Sequence, residues 1–175
     1  MSGGWSRLST RCSEPLVAEL PLFDQAGNAL VSFRFQDRLA AGALPTPLSL
    51  VVVIFRREVL LVFDRWREQW ELPGGMREVG EDALRTAVRE LGEETGIRSA
   101  DLDLVAVAEF DVRRPDRREY AAIYRATLSE PPKLIVNDEV SDFLWWNPLS
   151  AVPDMASPLD TEIARRLQPP TRGIG

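Results

Sequence analysis

At 175 residues, with 45% hydrophobic and 27% charged, the chain has the make-up of one globular domain with extensions, long enough for a real core. Its net charge of −6 argues against broad nucleic-acid binding, which wants a basic surface. With no histidine and a single cysteine, Cys12, a His-ligated zinc site, a Ser-His-Asp triad and an intramolecular disulfide are all excluded.

In chain order, residues 1–14 are mostly polar and read as a mobile N-terminus, in which Trp5 could pack. They lack the apolar stretch of a signal peptide, and no run approaches a membrane span. The lone cysteine fits a reducing compartment, so the expected location is the cytoplasm. Leu16–Phe23 and Ala29–Phe35 read as strands around the turn Asp24-Gln25-Ala26-Gly27-Asn28. With the linker Ala40–Pro47 this N-terminal β-hairpin makes an extension over residues 15–47. Leu48–Phe55 is a continuous apolar run, expected to be a strand buried on both faces. Arg56-Arg57-Glu58 turns it into a second strand, Val59–Phe63.

The stretch from Gly75 to Ile97, GMREVGEDALRTAVRELGEETGI, reads as a loop and a helix. Ala83, Leu84, Ala87, Val88 and Leu91 recur at three- and four-residue steps and suggest the buried stripe. Gly80-Glu81-Asp82 supplies a turn and acids at the positive end, and Gly96 a left-handed stop. On this reading Glu90, Glu93 and Glu94 lie away from the stripe, facing solvent in the last turns. There each like-charge pair at i, i+3 or i, i+4 costs about 0.2–0.5 kcal/mol, and the helix dipole adds to the cost. A cation would reverse both penalties, and oxygen-only ligation suits Mg2+ or Mn2+ better than zinc. Arg89 can reach Glu93 at i, i+4, and the glycines of Leu72-Pro73-Gly74-Gly75 let backbone approach a ligand.

Beyond the helix, Leu102–Phe110 and Tyr120–Leu128 read as strands joined by the charged loop Arg113–Arg118. Ser157-Pro158-Leu159-Asp160 has the form of a capping box with proline at the first helical position. Leu159, Ile163 and Leu167 continue a closing helix, and Gln168–Gly175 reads as a loose tail. The main domain is therefore residues 48–167.

Gly75, Glu81, Arg89-Glu90, Leu91, Glu93-Glu94, Gly96 and Ile97 match, at every defined position, the signature of the Nudix (MutT-like) hydrolases. That box is a glycine, five residues, a glutamate, seven residues, Arg-Glu, an aliphatic, any residue, Glu-Glu, any residue, Gly and an aliphatic. The resemblance implies an α/β/α sandwich with a mixed sheet, here carrying the N-terminal hairpin as an extension. It also implies a metal-dependent hydrolase that splits the pyrophosphate of a nucleoside diphosphate linked to another moiety. Candidate substrates are a nucleotide sugar such as ADP-ribose, or a (d)NTP including oxidised forms. By position in the motif, Glu90, Glu93 and Glu94 would hold Mg2+ or Mn2+, with the Gly75 carbonyl as a further ligand. Arg89 would orient them and Glu81 would support the cluster.

The general base in such enzymes is a box glutamate, here Glu90 or Glu93, or a glutamate on a later loop. Asn137-Asp138-Glu139-Val140-Ser141-Asp142-Phe143-Leu144-Trp145 resembles that loop, with Glu139 as base or further metal ligand and Asp138 and Asp142 as competitors. Trp66 and Trp70 could stack on a nucleobase, and Arg113 and Arg114 could bind a phosphate. The hairpin resembles extra strands through which some members form homodimers. A nucleotide-binding sensor without turnover is the alternative function, and a small nucleotide is the expected partner in either case.

Overall fold

The computed structural model describes residues 17–35, 45–98 and 100–168. The expected mobile N-terminus with Trp5 and Cys12, Leu16, most of the linker and the tail beyond residue 168 lie outside them. Among the described residues, nine strands and two helices follow one another. They are β1 (Leu22–Phe23), β2 (Ala29–Phe35), β3 (Leu48–Phe55), β4 (Glu58–Asp64), β5 (Gln69–Glu71), β6 (Gly74–Met76), α1 (Ala83–Thr95), β7 (Asp103–Arg113), β8 (Asp116–Thr127), β9 (Val140–Trp146) and α2 (Pro158–Arg166). The strands form one mixed sheet in the order β1-β2-β7-β8-β3-β4-β5, with β6 on β3 and β9 on β4. Only β3 and β8 run parallel; the other pairings of these strands are antiparallel.

Burial on both faces explains why β3 reads as an unbroken apolar run. Leu50 and Val52 face one core with Leu61, Ile123, Leu159 and Ile163, beneath α2. Val51 and Val53 face the other, with Leu60, Ala87 and Leu91, beneath α1. Each such side chain contributes about 1.5–3 kcal/mol by leaving water. The expected α/β/α sandwich is therefore the observed architecture. Among the described residues no helix is long and apolar enough to cross a membrane.

Two expected boundaries shift for identifiable reasons. The first strand shrinks to Leu22–Phe23, since Pro21 offers no amide to a ladder. The charged loop Arg113–Arg118 is instead mostly strand: β7 and β8 stay paired out to Arg113 opposite Asp116. Ion pairs across and along the ribbon, Arg118 with Asp111 at 3.0 Å and Arg117 with Glu119 at 2.5 Å, replace the apolar pairs that periodicity would detect. The hairpin β1–β2 adds to the edge of the sheet by pairing with β7.

Candidate metal centre

Helix α1 starts where its cap dictates. Asp82, in extended backbone, accepts the Arg85 N–H at 2.8 Å. The helix ends at Gly96, whose φ of 82° is left-handed. Its buried face differs from the expected stripe. Leu84 and Val88 are 45% and 47% exposed, whereas Thr86, Ala87, Leu91, Glu94 and Thr95 are buried. Ser49 on β3 fixes this rotation by donating its hydroxyl to the Ala83 carbonyl at 2.8 Å. So Glu90 and Glu94 point between helix and sheet rather than into solvent, and only Glu93 projects outward.

Gly74 and Gly75 lie in strand β6, which pairs with β3 and packs against α1. A Cβ on Gly75 would meet the Glu90 carboxylate, so a side chain there would push that carboxylate from its present place. Gly74 donates its N–H to Glu94 at 2.9 Å.

Arg89 organises the exposed side of the cluster. Its guanidinium reaches Glu81 at 2.9 Å, Glu90 at 2.8 Å, Glu93 at 3.0 Å and the Met76 carbonyl at 3.0 Å. Glu81 also accepts from the Thr86 hydroxyl at 2.9 Å and the Glu78 N–H at 3.1 Å. These donors, Arg89 first, hold its carboxyl down to about 2. A glutamate so fully engaged supports the loop and has little left to offer a ligand. For Glu90, burial outweighs Arg89 and the pKa is raised.

Glu94 is the outlier. It is 4% exposed, and its pKa is pushed up to about 8 by burial, with Glu90, Glu139 and Glu71 adding repulsion against the Gly74 hydrogen bond. This overturns the expectation of a solvent-facing carboxylate. An all-oxygen set of Glu90, Glu93, Glu94, Glu139 and the Gly75 carbonyl fits a hard divalent cation in its chemistry. Among the described residues, no three acidic side chains converge tightly enough to enclose an ion as they stand. Arg89 takes one oxygen of each of Glu90 and Glu93, so a cation would be met by the other oxygen of each.

The later loop comes to the same place. Glu139 is exposed, and its charge is felt at both Glu90 and Glu94. Its backbone carbonyl accepts the Arg65 N–H at 2.9 Å. Asn137, a loop residue that the sequence does not mark out, joins this loop to α1. Its side chain donates to the carbonyls of Glu93 at 2.8 Å and Glu94 at 3.3 Å.

Beside Gly74 and Gly75 opens a cleft of about 320 Å3. Leu48, Leu50, Phe110 and Leu159 make apolar walls, and Arg67, Glu71 and Asp160 a polar end. Burial and Glu71 push the Asp160 carboxyl up to about 7. The capping box that named Asp160 is only half formed. Ser157 accepts the Asp160 N–H at 3.3 Å, while the Ser157 N–H goes to the Trp70 carbonyl at 2.9 Å. The Asp160 carboxylate turns to the Leu72 N–H at 3.4 Å instead.

Trp66, Trp70, Arg113 and Arg114 are not among the residues lining the cleft. Trp66 stands 80% exposed on the turn after β4. Trp70 packs edge-on to Phe63 at 5.0 Å. Arg113 bonds Asn28 and the Gly27 carbonyl, tying the β7–β8 ribbon to the first hairpin, and Arg114 is exposed at the ribbon's tip.

Residues 45–167 match the family model described as the NUDIX domain. Over 83 residues the chain is 36% identical to "Nucleoside diphosphate-linked moiety X motif 6" of Mus musculus, covering 46% of this chain and 26% of that protein. It is 49% identical over 43 residues to an RNA pyrophosphohydrolase of Sphingopyxis alaskensis, covering 25% of this chain and 27% of that one. These matches span about a quarter of each relative's length. The fold is similar to the E. coli dihydroneopterin triphosphate pyrophosphohydrolase, with a TM-score of 0.58 at 21% identity over 68% of this chain and 91% of the other.

Proposed function

We propose, from the premise that the chain belongs to the NUDIX domain family, that it hydrolyses the pyrophosphate of a small nucleoside diphosphate derivative with Mg2+ or Mn2+. The observation that carries this reading is Glu94, a carboxylate buried among Glu90, Glu139 and Glu71 with a Gly74 amide as its hydrogen-bond donor. Such an arrangement is costly without a cation and favourable with one.

Glu90 and Glu94 would be the principal ligands, with Glu93, Glu139 and the Gly75 carbonyl completing the set. When bound, the metal would neutralise phosphate oxygens and lower the pKa of an attacking water. Arg89 would hold Glu90 and Glu93 in orientation by the bonds it already makes. Glu139, exposed on its loop, would take the proton from water, with a box glutamate as the alternative base. The cleft beside Gly74 would receive the nucleoside or the moiety linked to it, its apolar walls covering a flat ring and its carboxylates accepting N–H or O–H donors. A net charge of −6 favours a small nucleotide over a long polyanion.

The test is product release from ADP-ribose, other nucleotide sugars, NADH, diadenosine polyphosphates, dNTPs, 8-oxo-dGTP and a 5′-triphosphorylated RNA oligonucleotide. Each is assayed with Mg2+, with Mn2+ and with EDTA. Turnover of one substrate, abolished by EDTA, is the expected result. Nucleotide binding without turnover across the panel would overturn catalysis in favour of a sensor.

A further inference from the structure

The glutamates assembled above arrive from two separate parts of the chain. Glu90, Glu93 and Glu94 ride on α1, whereas Glu139 sits on the loop that leads into β9. Something must set the distance between them. The short-range restraints on the loop converge on one side chain. The amide nitrogen of Asn137 donates to the carbonyls of Glu93 and Glu94, and its amide oxygen accepts the N–H of Glu139 at 2.9 Å and of Val140 at 2.8 Å. Two carbonyls on one end and two N–H groups on the other leave a single consistent orientation of the amide.

The bonding pattern also specifies the residue type. Aspartate could accept the two N–H groups but could not donate, and it would set a negative charge against carbonyls at the negative end of a helix dipole. Alanine would release both sides. The rest of the loop follows the same axis. Ile135 donates to the Thr95 carbonyl at 3.1 Å, and Asn137 donates its backbone N–H to the Val140 carbonyl at 3.0 Å. Arg65 closes the outer side, giving its backbone N–H to Glu139 and its side chain to the Asn137 carbonyl at 3.2 Å.

We infer that Asn137 is a positioning residue for the hydrolytic centre: its side-chain amide locks the Glu139 loop onto the last turn of α1 and thereby fixes Glu139 relative to Glu90 and Glu94. This rests on the role proposed above for Glu139. It adds that one neutral amide joins the two halves of the ligand set, beside the backbone bond from Ile135 to Thr95.

The test is a double-mutant cycle of Asn137→Ala and Glu139→Gln, with Asn137→Asp as a second loop variant close in volume. Two readouts are taken: kcat and KM on the substrate found by the panel, and the affinity of the substrate-free protein for Mn2+ alone by electron paramagnetic resonance. Removing an outer partner of a metal ligand costs about 10–100-fold in affinity or activity, so N137A should lose that much in kcat or in Mn2+ affinity, with KM little changed. In the E139Q background the same N137A change should cost less than about threefold, because the group it positions is gone.

An equal loss in both backgrounds, or no loss in the single variant, would overturn the inference. N137D should behave like N137A; wild-type behaviour in N137D would also overturn it. If no substrate is turned over, the functional reading has failed, and the Mn2+ cycle still decides whether Asn137 acts through Glu139. A neutral E139Q with a damaging N137A would show that Asn137 acts elsewhere, again overturning the inference. Thermal melts of each variant separate these outcomes from unfolding.

Discussion

Glu94 on α1 and Glu162 on α2 are both buried glutamates, 4% and 3% exposed, on helices packed against opposite faces of one sheet. Glu162 meets Arg166 at 2.8 Å, an ionic contact rather than an aligned hydrogen bond, and accepts the Ala18 N–H at 3.1 Å. Glu94 meets other carboxylates and one backbone amide. The first charge is neutralised within the fold and serves stability. The second has carboxylates and an amide around it rather than an arginine, and that difference separates a structural ion pair from a candidate ligand.

The largest expected effect comes from removing the uncompensated charge. Glu94→Gln should reduce metal-dependent hydrolysis to background. Without metal, the same change should make the fold more stable at high pH. The carboxyl's value rises from 4.5 to about 8 on folding, so the folded chain gives up its proton later than the unfolded one. This contribution is absent below 4.5, erodes stability between 4.5 and about 8, and is complete above about 8. At about 1.4 kcal/mol per pH unit, the gain for Glu94→Gln at pH 9 should be a few kcal/mol, and near zero at pH 4. Urea melts at the two pH values check it; coincident gains would break the comparison.

How the two acids differ was only partly legible in the sequence. Box spacing assigned Glu90, Glu93 and Glu94 to one helix, and the structure gathers Arg89, Glu81, Glu90 and Glu93 into a bonded group. The buried face was misread, because Leu84 and Val88 extend the apolar stripe in sequence yet are exposed in the fold. The decision came from contacts distant in sequence: Ser49 with Ala83, and Gly75 beneath Glu90. Strand β3 was legible to the residue because both of its faces are covered. The β7–β8 tip was not, since ion pairs hold it and charge has no strand periodicity. Asn137 gave no signal, asparagine being ordinary in loops.

The second effect tests the other acid. Arg166→Gln leaves Glu162 buried without its cation, and breaking a buried pair costs about 3–5 kcal/mol. Arg166 also donates to the Ala18 carbonyl at 2.5 Å, so residues near 18 should lose protection from hydrogen exchange along with it. The pair Glu162→Gln with Arg166→Met should recover most of the loss, as apolar replacement of a whole buried pair is often neutral. Because Arg166 does not line the cleft, turnover per folded molecule should hold. A loss of turnover without a loss of stability would move Arg166 to the functional side of the comparison.

The smallest effect asks whether the helices differ anywhere but at those glutamates. Both begin with a side-chain cap on the third N–H, Asp82 at 2.8 Å and Ser157 at 3.3 Å. Loss of such a cap costs about 1 kcal/mol. Asp82→Ala should sit nearer that value, since the bond is shorter and its charge also meets the positive end of the helix dipole. Ser157→Ala should cost less, because Ser157 keeps its place through its backbone bonds to Trp70 and Thr161. Fraying by one turn stops short of Glu90 and Glu94 in α1, and Arg89 still ties Glu81 to the helix. Turnover in Asp82→Ala should therefore stay within about twofold while the urea midpoint falls. If turnover instead dropped with the cap, the helix start would be part of what holds the carboxylates together.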